Sequence, residues 1–400
     1  MQNPARHRQG DHHMTSPHWL SGGFRPFFFL GALAMAASVL MWVPVYSGLF
    51  TLPTLFVPRD WHVHTLIFGG VMAIIAGFGL TAVANWTGRP PVSGALLLAL
   101  VLLWLAGRVA VTCGAGLGPL PVAVLDVLFP LALAAVMARE VIAARNLRNL
   151  KIVAVIGLLA LADLGFHLEA AQTGVADVSL RASLSLVILL ILMIGGRIIP
   201  AFTRNWLNAR KAAKLPVTFN KADAAIMVLS GAALALWTNL PDALATAVLM
   251  LLAGAGQIWR LTRWCGFAAR REPLLLILHI GHLILALGFL AVPCAVLLPQ
   301  IGDATASVHL WTAGAIGIMT LAVMTRASRG HSGHPLTADR LDLAIFALVI
   351  LGTIARVASP HAGDAARALL DTAALAWAGA YLAFAAGYAR RLLLPPAKAG

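Results

Sequence analysis

The sequence predicts an all-α polytopic membrane protein of about twelve transmembrane helices with both termini in the cytoplasm. Three observations predict it. Of 400 residues, 60% are hydrophobic and 11% charged, with mean hydropathy +0.86, whereas a soluble domain carries about 25% charged residues. So much apolar surface cannot be hidden in a water-facing core and must take lipid as part of its solvent. The apolar residues fall into twelve runs of about 18 to 25 residues, the length that crosses a bilayer as a helix. Basic residues gather at alternate connections between the runs, the positive-inside pattern.

The first run, 26–48, follows a polar tail, 1–24, that carries Arg6 and Arg8, with Arg25 at its border. The tail has no apolar stretch leading to a small-residue cleavage site, so no signal peptide is expected. The second run, 60–86, enters past Arg59 and returns to Arg89. The third and fourth, 92–111 and 119–144, return to Arg139, Arg145, Arg148 and Lys151. The fifth and sixth, 148–171 and 178–203, return past Arg181 to the longest connection, near 204–219, which is basic. The seventh and eighth, 220–238 and 242–262, return to Arg260, Arg263, Arg270 and Arg271. The ninth and tenth, 272–298 and 306–327, return to Arg326, Arg329 and Arg340. The eleventh and twelfth, 337–357 and 364–390, end at Arg390, Arg391 and Lys398, so a membrane domain of 25–392 precedes a short cytoplasmic tail, 393–400. The returning ends hold 23 of the 29 basic residues. Topology therefore accounts for the net charge of +14, and no nucleic-acid partner is expected.

Helices 2, 6 and 10 end in related stretches, TAVANW, IPAFTRNW and LAVMTRAS, and helices 2 and 10 share a histidine followed five residues later by glycine, His64/Gly69 and His309/Gly314. Three units of four helices around a central axis fit this pattern; chance similarity among small apolar residues is the competing account. Cys113, Cys265 and Cys294 lie far apart with no CxxC or CxxCH, which excludes a zinc ribbon, a thioredoxin-like motif and covalently attached haem.

Ionisable residues inside a bilayer are expensive and mark function. Of thirteen histidines, His7, His12, His13 and His18 fall in the N-terminal tail, His331 and His334 in a cytoplasmic loop, and His361 outside. His62, His64, His167 and His309 share one depth near the outer face. His279 and His282 lie about 10–15 Å in from the cytoplasmic end, on one helix face. Residues i and i+2 point about 200° apart, so either His62 precedes the regular helix or His62 and His64 serve two centres. Imidazole suits iron, copper and zinc, and acids are scarce within the spans. A haem needs an apolar slot, for which Trp61, Phe68, Trp86, Phe166 and Trp311 are candidate walls, and cations for its propionates, for which Arg25 and Arg59 are candidates. Arg108 and Arg197, within helices 3 and 6, read as cofactor contacts or as structural partners of acids such as Asp126 or Asp163. A histidine proton relay and ordinary interfacial histidines are the alternatives to metal ligation.

The segments GGFRPFFFLGAL, WHVHTLIFGGVMAIIAGFGLTAVANWTGRP, LGFHLEA, GGRIIPAFTRN, LHIGHLILALGFL and HLWTAGAIGIMTLAVMTRASRGHSG resemble the signature blocks of the NnrS family, over Gly22 to Gly333. The resemblance implies a twelve-helix protein of the bacterial inner membrane, containing b-type haem and copper, that takes part in the response to nitric oxide and accompanies denitrification. It carries over His62, His64 and His309 as the first candidate ligands, then His167 and His279; the reading of the residues themselves adds His282 as a further metal candidate and Arg59 beside a cofactor. The sequence departs from the family pattern at Thr65, where an acidic residue is expected, as in HAHEMLFGF. The implied function is nitric oxide binding with removal or buffering. Reduction would further need electrons from a quinol or a separate protein. A nitric oxide sensor or copper-handling protein is a second reading. A solute transporter, suggested by the helix break GGRIIP, is a third.

Overall fold

A computed structural model of the chain describes residues 17–300 and 302–395; most of the N-terminal tail, with His7, His12 and His13, and residues 396–400 of the C-terminal one lie outside the described residues. Twelve helices are long and apolar enough to cross a membrane: α1 Phe24–Tyr46, α2 Pro58–Thr87, α3 Gly94–Cys113, α4 Pro119–Ala143, α5 Leu147–Thr173, α6 Asp177–Asn208, α7 Lys221–Asn239, α8 Leu244–Thr262, α9 Pro273–Leu297, α10 Ala304–His331, α11 Arg340–His361 and α12 Gly363–Leu393. No strand occurs among the described residues. The twelve-helix expectation holds.

Local chemistry sets the helix ends. Pro58 and Pro273 occupy first-turn positions, where the missing N–H costs nothing. Asn220 with Asp223, and Asp339 with Asp342, form reciprocal capping boxes at α7 and α11. Asp303 accepts from the Ala306 N–H at the start of α10. Gly88 stops α2 in the left-handed region, φ +68°. The main departures from the hydropathic boundaries are at α6 and α10, which continue beyond 203 and 327 to Asn208 and His331. Hydropathy stops where lipid stops, whereas a hydrogen-bonded helix can continue into water. His331 thus ends a helix and packs on Phe24, ring centroids 5.4 Å apart, rather than lying in a loop.

Successive helices pack side by side and the circuit closes, α12 lying against α1. Both ends of that seam are pinned: Arg25 donates to the Arg391 carbonyl at 2.8 Å, and Arg367 to the Ser47 hydroxyl at 2.7 Å. Inside the circuit α2, α6 and α10 touch one another. These are the second helices of three successive groups of four, so the packing matches the three-unit reading of the sequence. α2 and α10 are the most enclosed of all. Each breaks α-helical regularity at one place, with π-helical turns at Thr65–Val71 in α2 and Leu310–Ile316 in α10. Both begin one residue after the histidines paired in the sequence, His64 and His309.

Candidate metal centre

Single π turns inside α-helices recur at functional sites because they redirect side chains and free backbone carbonyls. In α2 the Gly69 carbonyl accepts from the Trp104 indole at 3.0 Å as well as from the Met72 N–H. In α10 the Ala313 carbonyl accepts from Trp377 at 2.9 Å and from Thr353 at 3.1 Å. The Thr65 hydroxyl is spent on the Trp61 and His62 carbonyls, 2.9 and 3.2 Å, so at this position the departure from the family pattern places a group that serves the helix backbone.

His64 points from the start of the α2 π segment into the junction of α2, α4 and α5. Its Nε2 lies 2.9 Å from Asp163 Oδ1 and 3.1 Å from Asp126 Oδ2. His167, one turn beyond Asp163 on α5, places its Nε2 3.0 Å from Asp126 Oδ2. All four residues are buried, and one ligand atom from each lies within 4.8 Å of the others. Asp126 Oδ1 pairs with Arg108 of α3, which confirms the expected structural pairing for that arginine. Two glycines make this possible: a Cβ on Gly107 would sit 2.7 Å from Asp126 Oδ1, and one on Gly69 would sit 3.1 Å from Arg108 Cδ. Phe56, Phe68 and Phe166 enclose the imidazole of His64, with centroids 4.9 to 5.1 Å away.

Each short nitrogen-to-carboxylate contact in this cluster requires a proton or a metal between its atoms, since two lone pairs repel. Asp163 Oδ2 and His64 Nδ1 are buried without a partner among the described residues. A carboxylate oxygen so placed is costly unless a cation or a proton occupies its vicinity. Two imidazoles and two carboxylates form a mixed nitrogen and oxygen donor set, which suits first-row transition ions such as iron, manganese or zinc. The scarcity of intramembrane acids had argued against carboxylate ligands, and the structure reverses that inference: two of the few acids stand beside the two histidines.

His62 faces elsewhere. It lies within the regular helix, stacks on Trp42 with centroids 4.4 Å apart, and has its Nδ1 buried and unpartnered. His309 and Arg356 lie within electrostatic reach of it. His309 Nδ1 is 2.6 Å from the Thr305 carbonyl; a carbonyl only accepts, so this nitrogen carries the proton and Nε2 of the neutral ring keeps a lone pair. Thus the four outer histidines share one end of the molecule, but His64 and His167 meet at Asp126 whereas His62 and His309 stand apart from that cluster.

The second expected group is present on α9. His279 Nε2 lies 3.0 Å from the Thr203 hydroxyl of α6, its Nδ1 is unpartnered, and His282 has neither ring nitrogen partnered. His282 packs on Trp264, centroids 4.6 Å apart.

The remaining candidates are dispersed among the described residues. Arg59 is held by Asp60 and Asp177, both at 2.7 Å. Arg25 sits at the opposite end of α1 from the outer histidines. Arg197 bonds Asn149 at 3.2 Å and no acid. Phe68 and Phe166 do wall the His64 site, but Trp311 packs with Trp237 and Phe289 and donates to the Leu285 carbonyl. Trp86 lies at the far end of α2. Aromatic residues were assigned to one slot by type; their helix faces, which packing decides, send them apart.

Comparison with known proteins gives one family match, to the model described as NnrS protein, over residues 18–395. No curated protein gives a significant match.

Proposed function

This chain belongs to the NnrS family, and from that premise together with the buried donor cluster we propose that it is a membrane haem or metal protein that binds nitric oxide and removes or buffers it. The family links it to the nitric oxide response. The single observation that carries the reading is the convergence of His64, Asp126, Asp163 and His167 in the interior of a twelve-span membrane protein. The residues present fit a metal ion. Asp163 Oδ2 lacks a donor and His64 Nδ1 is bare, while Arg108 offsets one of the two negative charges.

A bound metal would supply a site that ligates nitric oxide and can exchange an electron with it. The chain's own residues do the rest. His64 and His167 offer their Nε2 atoms, and Asp126 and Asp163 offer oxygens. Phe56, Phe68 and Phe166 keep water out, so a small apolar molecule is favoured over hydroxide or water at the centre. For a b-type haem or copper, the donor chemistry fits at two further places. His62 and His309 form one, with an Nε2 lone pair on His309 oriented by Thr305. His279 and His282 form the other, with three ring nitrogens free. Nitric oxide partitions into lipid, so a centre inside the membrane meets it without a polar channel. A quinol or a separate protein supplies electrons where there is turnover. The protein sits in the bacterial inner membrane.

The test is metal analysis, a pyridine haemochrome assay and anaerobic nitric oxide difference spectra on detergent-purified protein. His64→Ala is expected to lose a metal equivalent and the corresponding nitric oxide signal. A full metal complement with an unaltered nitric oxide spectrum in both His64→Ala and Asp163→Ala would overturn the assignment.

A further inference from the structure

The three central helices do not close completely on one another. With α5 they leave a half-open cavity of about 80 Å³. Ile74 and Phe78 of α2, Ile156 of α5, Val187 and Ile191 of α6, and Met319 of α10 are among its walls. The one hydroxyl in the lining, that of Thr320, is spent on the Ile316 and Gly317 carbonyls and on Tyr381. A water molecule needs two to four polar partners to occupy such a space, whereas dry apolar cavities bind xenon or small apolar molecules. A cavity of about 150 Å³ takes benzene. One of about 80 Å³ has room for a diatomic gas.

Its position matters as much as its chemistry. Ile152 and Ile156 line it from α5, and steps of four and seven residues carry that same helix face on to Asp163 and His167. On α2 the lining begins at Val71, seven residues from His64. Both helices therefore bring the cavity to about 10 Å from the donor cluster. On α2, Phe68 stands between the two, three residues before Val71, and packs on His64 with ring centroids 4.9 Å apart. At the other end the cavity adjoins a wider space of about 250 Å³, which shares Phe78, Trp86 and Ile152 with it and reaches Arg197.

We infer that this cavity is a holding site for a small apolar gas of the size of nitric oxide, which passes Phe68 to reach the buried cluster. The inference rests on the proposal that the cluster binds nitric oxide, and adds where the gas waits and by which route it arrives.

Xenon is the probe, because it occupies apolar cavities without requiring a metal. Xenon-pressurised crystals of the wild-type protein are expected to show an anomalous peak between Ile74, Val187 and Met319. Absence of that peak, or an ordered water or acyl chain in its place, overturns the inference. In Val187→Phe, and independently in Ile191→Phe, the xenon peak should vanish while metal content stays at the wild-type level. Stopped-flow mixing with nitric oxide should show association slowed roughly tenfold and dissociation unchanged. A wild-type association rate in a variant that excludes xenon would refute the delivery route. Failure of the functional proposal looks different: the metal-loaded wild type would then give no nitric oxide signal at all, while the xenon peak would still report on the cavity.

Discussion

His62 and His64 are separated by one residue on a continuous helix, and their side chains therefore leave it on opposite faces. His64 enters the cluster of α2, α4 and α5; His62 stacks on Trp42, within electrostatic reach of His309 and Arg356. Substitution of either should therefore have a distinct consequence. His64→Gln is expected to remove the cluster metal, because an amide is a poor replacement for an imidazole lone pair. His62→Gln should leave that metal in place and alter whatever is held with His309. Metal and haem counts on the two variants check this, and identical losses from both would mean a shared centre. The splay of the pair was legible in the sequence because it follows from helix geometry alone. The participation of Asp126 and Asp163 was not. An acid inside a span reads equally as an arginine's partner or a ligand, and Asp126 touches both Arg108 and His167. Only the packing of α3, α4 and α5 brings the partner of Arg108 beside His64 and His167. The i, i+4 spacing of Asp163 and His167 was the available signal, since it sets both on one helix face.

At the scale of the element, the two π segments are the feature that hydropathy could not show. Residues 65–71 and 310–316 are mostly apolar, so their composition reads as ordinary spanning helix. What the sequence did carry was the paired histidine and glycine at the same spacing in α2 and α10. In both segments a tryptophan shares its carbonyl acceptor with a second donor. Gly69 accepts from Trp104 and from the Met72 N–H, and Ala313 from Trp377 and Thr353. Trp104→Phe and Trp377→Phe should therefore each cost about 0.5–1.5 kcal/mol through this bond, the net value of one hydrogen bond whose acceptor keeps another donor. Thermal unfolding of the two variants in detergent checks this, and no loss in either would remove these bonds from the account of stability. A second element-level expectation concerns α7 and α8. Asp223 closes the Asn220 capping box and holds Arg260 and Arg263, both at 3.1 Å. Asp223→Ala strands Arg260, which is 1% exposed, and breaking a buried pair in this way costs about 3–5 kcal/mol. Changing Arg260 to Met as well should recover part of that loss, because the uncompensated buried charge is gone. Unfolding of the single and double variants under one detergent condition reads the difference.

For the molecule as a whole, the sequence carried the helix count and the alternation of ends because length, hydropathy and loop charge are each written locally. The closure of α12 on α1 and the central contact of α2, α6 and α10 were legible only as a weak repeat, since they depend on side chains from distant units meeting. Orientation follows from charge: the end that gathers most of the lysines and arginines belongs in the cytoplasm. The chain carries its own reporter of this. Cys113 closes α3 at the opposite end and is exposed, whereas Cys265 is buried at the basic end and Cys294 is only partly accessible. A membrane-impermeant maleimide applied to spheroplasts should label Cys113 without permeabilisation. Cysteine introduced at Asp303, also on the basic-poor end, should behave in the same way. Cysteine introduced at Ala212, in the connection between α6 and α7, should react only after the membrane is opened. Replacing Cys113 with Ser should abolish the wild-type signal, which excludes a contribution from the other two thiols. The inverse pattern would place the His64 cluster and the His62–His309 pair near the cytoplasm, and the wider space at Arg197 would then face the outer leaflet. Labelling thus fixes on which side of the membrane each histidine group lies, and which leaflet the space at Arg197 faces.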